Sequence, residues 1–209
     1  MQAIILAAGM GKRLGYLTKE NTKCMIKVNG ITLIERMLDQ LDKLNLNRII
    51  IVSGYKAIEL ETFVSKLNIR TPIKFVRNSD YFRTNNIFSL YLAREYMLED
   101  DTLLLESDII FEDSVIKEIL DDPYPSLALV AKYESWMDGT VVTIDAENNI
   151  TRFITKDKFS FNEIPNYYKT VNIYKLSTSF SRDYYVPFLE AYCKALGYNE
   201  YYEQVLKVI

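Results

Sequence analysis

Over the first 120 residues, short apolar runs alternate with segments whose apolar positions return every three or four residues. Ala3-Ile4-Ile5-Leu6 is apolar on both faces and predicts a fully buried strand. Further strands are predicted over 48–53, 72–77 and 102–107. Between them, Thr32-Leu33-Ile34-Glu35 fits a capping box, and Ile34, Met37, Leu38, Leu41 and Leu44 share one helical face, predicting a helix over 31–44. Helices are likewise predicted over 56–67, over 84–97 with Thr84 as cap, and over 113–120.

Strand and helix taking turns implies right-handed crossovers and an α/β fold, with a mainly parallel mixed sheet flanked by helices. Ligands of such sheets bind beyond the carboxyl ends of the strands, where segments 7–13 and 106–110 emerge. After residue 125 the pattern changes to strands at 127–132, 140–144, 150–155 and 170–176, with Glu147-Asn148-Asn149 as one turn. Helices over 178–196 and 199–208 follow. No repeat, low-complexity tract or Pro/Gly linker divides the chain, so one domain over 1–209 is expected.

Composition narrows the chemistry. The 209 residues are 49% hydrophobic and 25% charged with a net charge of −3, which suits a soluble protein and argues against duplex nucleic-acid binding. Two cysteines, Cys24 and Cys193, give neither a disulfide framework nor zinc spacing. No basic segment leads into a long apolar run, so neither a signal peptide nor a membrane span is expected, and the cytoplasm is the expected compartment. The chain contains no histidine. That removes Ser-His and Cys-His nucleophile pairs and imidazole bases, leaving carboxylates, Lys, Arg, backbone amides and oxygen-held cations, the tools of phosphoryl and nucleotidyl transfer.

The first strand empties into "LAAGMGKR", Leu6 to Arg13. The spacing is neither that of a Walker A loop nor of a dinucleotide Gly-x-Gly-x-x-Gly. Ala7, Ala8, Gly9 and Gly11 lack bulk, so main-chain N–H groups can approach an anion, and Lys12 and Arg13 add positive charge. A triphosphate site and a tight surface turn carrying two solvated cations are both compatible with these residues.

"AIILAAGMGKRL" resembles the signature of nucleotidyltransferases that join a nucleoside triphosphate to a phosphorylated small molecule. Two more elements of that resemblance follow in order: Thr22-Lys23-Cys24-Met25 with Val28-Asn29-Gly30, and "LLLESDIIF", which places Asp108 after the fourth strand. The family's usual Pro-Lys is Thr-Lys here. The resemblance implies a GT-A-like, Rossmann-related fold and a Mg²⁺-dependent reaction. It implies that Leu6, Ala7, Ala8, Gly9, Met10, Gly11 and Lys12 hold the nucleotide. Arg13 would contact the β- and γ-phosphates, Lys23 the α-phosphate and the acceptor, and Asp108 the Mg²⁺. Residues of about 1–125 would then form the nucleotide-binding part and 126–209 the acceptor-binding part.

"FVRNSDYFRTNNIFSLYLAREYM" resembles the choline-phosphate and related cytidylyltransferases, with Asn78, Tyr81, Asn85, Asn86, Ser89 and Leu90 at matching positions. The resemblance implies CTP as donor, with Asn78, Asn85, Asn86 and Ser89 near the nucleotide and Tyr81 near the acceptor. "SWMDGTVV" and "YYKTVNIYKLS" resemble cytidylyltransferase domains that act on 2-aminoethylphosphonate and are sometimes fused to an aminotransferase. That implies Trp136, Asp138, Lys169 and Asn172 as acceptor-binding residues, Lys169 on the phosphonate and Asp138 on the ammonium. Sixteen tyrosines in one chain mean that many are simply packed. Phosphocholine, phosphoethanolamine, a sugar 1-phosphate, or nucleotide binding without turnover are the alternatives. The family's second metal carboxylate, in a Glu-Ile-Asp stretch near the C-terminus, is absent from "YYEQVLKVI". Glu203 is its stand-in, or the sequence is a piece of a longer protein.

Overall fold

In the computed structural model, which describes residues 1–19, 21–155 and 158–209, the chain opens on β1 (Gln2–Ala7), buried at every position. A 3₁₀ segment (Lys12–Thr18) leads to a two-stranded ribbon, β2 (Lys27–Val28) and β3 (Ile31–Thr32). Then come α1 (Leu33–Leu41), β4 (Ile49–Ser53), α2 (Ala57–Val64), β5 (Ile73–Arg77), α3 (Asn86–Met97), β6 (Thr102–Glu106) and α4 (Asp113–Asp121). The second part holds β7 (Leu127–Lys132), β8 (Val141–Ile144), β9 (Ile150–Ile154), β10 (Tyr168–Leu176), α5 (Thr178–Phe180), α6 (Val186–Leu196) and α7 (Glu203–Leu206).

The sheet order is β5-β4-β1-β6-β10-β8-β9, with β7 on the other edge of β10. β5, β4, β1 and β6 pair in parallel, whereas every pairing of β7 to β10 is antiparallel. The sheet is therefore mixed, parallel over β5-β4-β1-β6 and antiparallel from β10 onward, where no α-helix lies between β7, β8, β9 and β10 among the described residues.

Strand alternation divides the core. Ala3, Ile5, Ala7, Ile49, Ile51, Leu103 and Leu105 face α1, α2 and α4. Ile4, Leu6, Ile50, Val52, Leu104 and Tyr174 face α3, α6 and α7. Among the described residues, no helix is long and apolar enough to cross a membrane.

Several predicted boundaries move for local reasons. Thr32 caps α1 by accepting from the Glu35 N–H at 3.2 Å, as expected, but residues 31–32 lie in the ribbon and 42–44 tighten to 3₁₀. The Asn29-Gly30 turn, with φ of 53° and 83°, joins the two ribbon strands, the positive pair a two-residue hairpin demands. Lys56 adopts φ 50°, so α2 starts at Ala57. Asn85 rather than Thr84 caps α3, because the Thr84 hydroxyl is turned back onto the Asp80 carbonyl at 2.8 Å. β10 begins two residues early, at Tyr168, and the 178–196 helix is interrupted by a π turn over Ser181–Tyr185. The final helix shrinks from 199–208 to Glu203–Leu206.

Candidate active site

Register fixes which loops meet. Ala7 pairs with Ser53 across β1 and β4, and Leu6 with Glu106 across β1 and β6. The loops after these residues therefore leave the sheet side by side. β10 runs antiparallel, with Ile173 opposite Leu105, so Lys169 and Thr170 overhang the same edge. The loop after β7 joins them, because Lys132 lies opposite Tyr168.

The opening loop is held by close packing. Ser107 N–H donates to the Leu6 carbonyl at 3.2 Å, and Tyr55 N–H to the Ala8 carbonyl at 3.0 Å. Gly54 backs the loop so closely that a Cβ there would lie 2.8 Å from the Ala8 Cβ and carbonyl oxygen. Gly11 has φ 62° and ψ 31°, and its carbonyl accepts from the Thr18 hydroxyl at 3.0 Å. A Cβ on Gly11 would meet Thr18 Cγ2 at 2.8 Å and Lys23 Cβ at 3.3 Å. Two glycines thus let the loop and the Lys23 segment approach one another. Met10, Lys12, Tyr16, Thr18, Lys19 and Tyr55 line a depression of about 420 Å³ beside the loop.

Lys23 and Asp108 form an ion pair at the ends of this loop system, both partly exposed. Thr22 and Cys24 on either side are buried, their side chains in contact at 3.1 Å, which anchors Lys23. Burial pushes the Lys23 ammonium down, the nearby Arg13 guanidinium pushes it further, and Glu106 opposes both. The predicted trio of Arg13, Lys23 and Asp108 therefore converges. Glu106, not expected from the sequence, joins it.

Glu106 is the last residue of β6 and continues the face of Leu104 toward α3 and α7. Its Oε1 accepts from Asn86 Nδ2 at 2.9 Å, and Asn86 Oδ1 accepts from Tyr202 N–H at 3.0 Å. Burial, aided by the charge of Glu203, raises the Glu106 carboxyl to about 7, against the Asn86 hydrogen bond and Lys23. Glu203, the first residue of α7, is also raised by burial, with Lys169 opposing. Lys169 lies near both Glu203 and Asp138, is lowered by burial, and donates to the Thr170 carbonyl.

The other predicted positions serve varied ends. Asn78 is buried, its amide donating to the Thr84 and Ser89 hydroxyls at 3.2 Å and its Oδ1 accepting from Asp80 N–H at 2.9 Å. Asn78 and Ser89 thus shape the β5–α3 turn from inside. Asn85 caps α3, and Asn86 ties Glu106 to α7. Tyr81 meets Tyr55 and Phe82 edge to face, at 6.0 and 5.8 Å. Trp136 is 75% exposed on the loop after β7, its indole N–H donating to Glu134 at 2.9 Å. Asn172 has φ 60° where the β10–β7 register shifts, a bulge that the asparagine backbone tolerates. Among the described residues, no three Asp, Glu or Cys side chains gather as a metal cage.

Comparison with known proteins places this site in context. The chain is 30% identical over 205 residues to the CMP-5'-(3-aminopropyl)phosphonate synthase of Streptomyces rubellomurinus, covering 97% of this chain and 32% of that protein. It is 33% identical over 153 residues to the 2-aminoethylphosphonate cytidylyltransferase of Lancefieldella rimae, covering 72% of this chain and 59% of the relative. The chain thus spans between a third and three fifths of these relatives' lengths. Its fold matches a solved structure of the CTP:phosphocholine cytidylyltransferase of Streptococcus pneumoniae with a TM-score of 0.78 at 22% identity, over 99% of this chain and 84% of that one. Residues 3–148 match the MobA-like NTP transferase domain, and the chain belongs to that family.

Proposed function

We propose that this chain is a cytidylyltransferase that joins CMP from CTP to a small aminoalkylphosphonate, 2-aminoethylphosphonate being the best fit, and releases pyrophosphate. The observation that carries the reading is the convergence of Arg13, Lys23 and Asp108 at the end of β1 and β6, beside a loop opened by Gly11 and Gly54. The two sequence relatives named above, both enzymes of aminoalkylphosphonates, support the acceptor class.

A phosphonate oxygen of the acceptor, already ionised, attacks the α-phosphorus of CTP, and the bond to the departing pyrophosphate breaks. No general base is needed, in keeping with a chain that contains no histidine. Lys23 exchanges Asp108 for the α-phosphate, and Arg13 takes the β- and γ-phosphates, so that charge moving onto the bridging oxygen meets fixed cations. The lowered Lys23 affinity for its proton reflects a cation already short of solvent, which strengthens its pull on an incoming phosphate.

The donor set suits Mg²⁺ arriving with a nucleotide: one carboxylate, Asp108, at the loop edge, where such ions use one or two carboxylates plus phosphates and water rather than a protein cage. Asp108 would hold the ion, which would supply further neutralisation of the triphosphate.

The test is pyrophosphate release with Mg²⁺, each of CTP, UTP, ATP and GTP, and a panel of 2-aminoethylphosphonate, phosphocholine, phosphoethanolamine and glucose 1-phosphate, with Asp108→Ala as blank. Release confined to CTP with an aminated acceptor is expected. Release with glucose 1-phosphate alone would replace the acceptor class.

A further inference from the structure

A strip of charged side chains crosses the edge of the sheet. Arg13 acts on Lys23, Lys23 on Glu106, Glu106 on Glu203, and Glu203 on Lys169, which in turn feels Asp138. At its middle stand two carboxylates from distant parts of the chain, one ending β6 and one opening α7. Both are partly exposed, so a solute can reach them. Behind them, Tyr174 and Tyr202 are buried and meet edge to face at 5.8 Å. Both phenols lie within electrostatic range of one another and of both carboxylates, which with burial keep them protonated.

The hydrogen-bond inventory of this spot is lopsided. Among the described residues, the buried Glu203 Oε2 and the Tyr174 and Tyr202 hydroxyls make no hydrogen bond of normal geometry. Asn86 satisfies one oxygen of Glu106. Lys169, whose charge acts on Glu203, donates instead to the Thr170 carbonyl. A buried polar oxygen without a partner costs roughly 1–3 kcal/mol, and carboxylate oxygens with phenol oxygens, which can also accept, are complementary to a ligand that brings donors and positive charge. A hard cation could use the carboxylates with water, but it would leave the two protonated phenols, poor ligands for such an ion, unserved. A primary ammonium carries three N–H donors and one positive charge, which matches the cluster in both respects. A quaternary ammonium has no N–H donor and would leave the Glu203 Oε2 and the two phenol oxygens unpaired.

We infer that Glu203 and Glu106, backed by the Tyr202 and Tyr174 hydroxyls, form the receptor for a primary ammonium group on the acceptor, and so select aminoalkyl acceptors over hydroxyalkyl and trimethylammonium ones. This rests on the acceptor class proposed above and assigns its amine to this pair instead of Asp138. The anionic end of the same molecule then lies toward Lys23, the next charge along the strip. Glu203 is a specificity residue here, in place of the metal-ligand role its position near the C-terminus suggested.

The test is equilibrium binding by calorimetry, which needs no turnover, on the wild-type chain and on Glu203→Gln and Glu106→Gln. The ligands are 2-aminoethylphosphonate and 2-hydroxyethylphosphonate, then phosphoethanolamine and phosphocholine. Charge-assisted hydrogen bonds of this kind imply a preference of at least about tenfold for each primary amine over its partner in the wild type. Glu203→Gln should bring both ratios within about threefold while the affinity for 2-hydroxyethylphosphonate stays nearly the same. Equal binding of amine and hydroxyl by the wild type, tighter binding of phosphocholine than of phosphoethanolamine, or unchanged ratios in both variants would overturn the inference. If none of the four binds the wild type, the receptor is refuted as well. Pyrophosphate release run in parallel reports separately on the transfer reaction: a selective receptor with no release would retain the amine site and refute the cytidylyltransferase reading.

Discussion

Replacing Glu106 by Gln should stabilise the folded protein increasingly as pH rises. In the fold the Glu106 carboxyl is raised from 4.5 to about 7, chiefly by burial and then by Glu203. Below pH 4.5 the group is protonated in both folded and unfolded states and does not affect the equilibrium. Between 4.5 and 7 the folded state keeps a proton that the unfolded state has lost, so this group's contribution falls as pH rises. Above 7 the full penalty of a buried charge is present. A shift of this size corresponds to at most about 3 kcal/mol, and the Asn86 hydrogen bond and partial solvent contact bring the expected value to about 1–3 kcal/mol. Gln keeps the Asn86 contact through its carbonyl and turns its amide toward Glu203, so it removes the charge without removing the bond. Urea unfolding of both proteins at pH 5, 6, 7 and 8 measures the difference directly. It should grow by about 1–3 kcal/mol from pH 5 to pH 8, in favour of Gln. A difference independent of pH, or one that turns against Gln as pH rises, would refute this reading of Glu106. The same substitution should weaken amine-acceptor binding, so stability and function move in opposite directions, as is common where a site concentrates like charges.

Gly11→Ala places a side chain at φ 62° and 2.8 Å from Thr18 Cγ2, which should lower stability by roughly 1–3 kcal/mol and displace Lys23, abolishing pyrophosphate release; thermal melts and the release assay check this. Asn86→Ala leaves Glu106 without its amide and Tyr202 N–H without its acceptor, with an expected loss of about 2–4 kcal/mol in urea unfolding and faster hydrogen exchange at Tyr202. Equal protection at Tyr202 in both proteins would show that α7 docks without this link.

Much of this fold is visible in its pattern. The short runs "AIIL" and "IIIV" read as strands buried on both faces, and the alternation of strands and helices around them placed the loops of 7–13 and 106–110 at one sheet edge, where Arg13, Lys23 and Asp108 meet. The antiparallel half was less legible, because β10 is a long strand with a bulge at Asn172 that pairs with β6, β8 and β7 in turn, and no local signal encodes three partners. The ribbon at 27–32 was signalled by Asn29-Gly30, a pair that favours positive φ, but the neighbouring helical periodicity obscured it. Asn78 and Ser89 are placed near the nucleotide by the resemblance; both are buried and hydrogen-bonded within the β5–α3 turn. Glu106 escaped notice although its strand was recognised. A carboxylate two residues beyond Leu104 on a buried face is the available signal, but its partner Glu203 lies 97 residues on and is brought near by the docking of residues 198–202 on the start of α3, through Asn85–Tyr198, Ile87–Glu200 and Asn86–Tyr202 hydrogen bonds.

The most direct test of the account is the ³¹P spectrum of CTP, 2-aminoethylphosphonate and Mg²⁺ incubated with the protein. The account predicts free pyrophosphate together with a pair of mutually coupled signals, one from the phosphonate and one from the α-phosphate, joined by a new P–O–P bridge, and neither with Lys23→Met. Pyrophosphate without a phosphonate-coupled signal, or the same coupled pair from Lys23→Met at the wild-type rate, would contradict it.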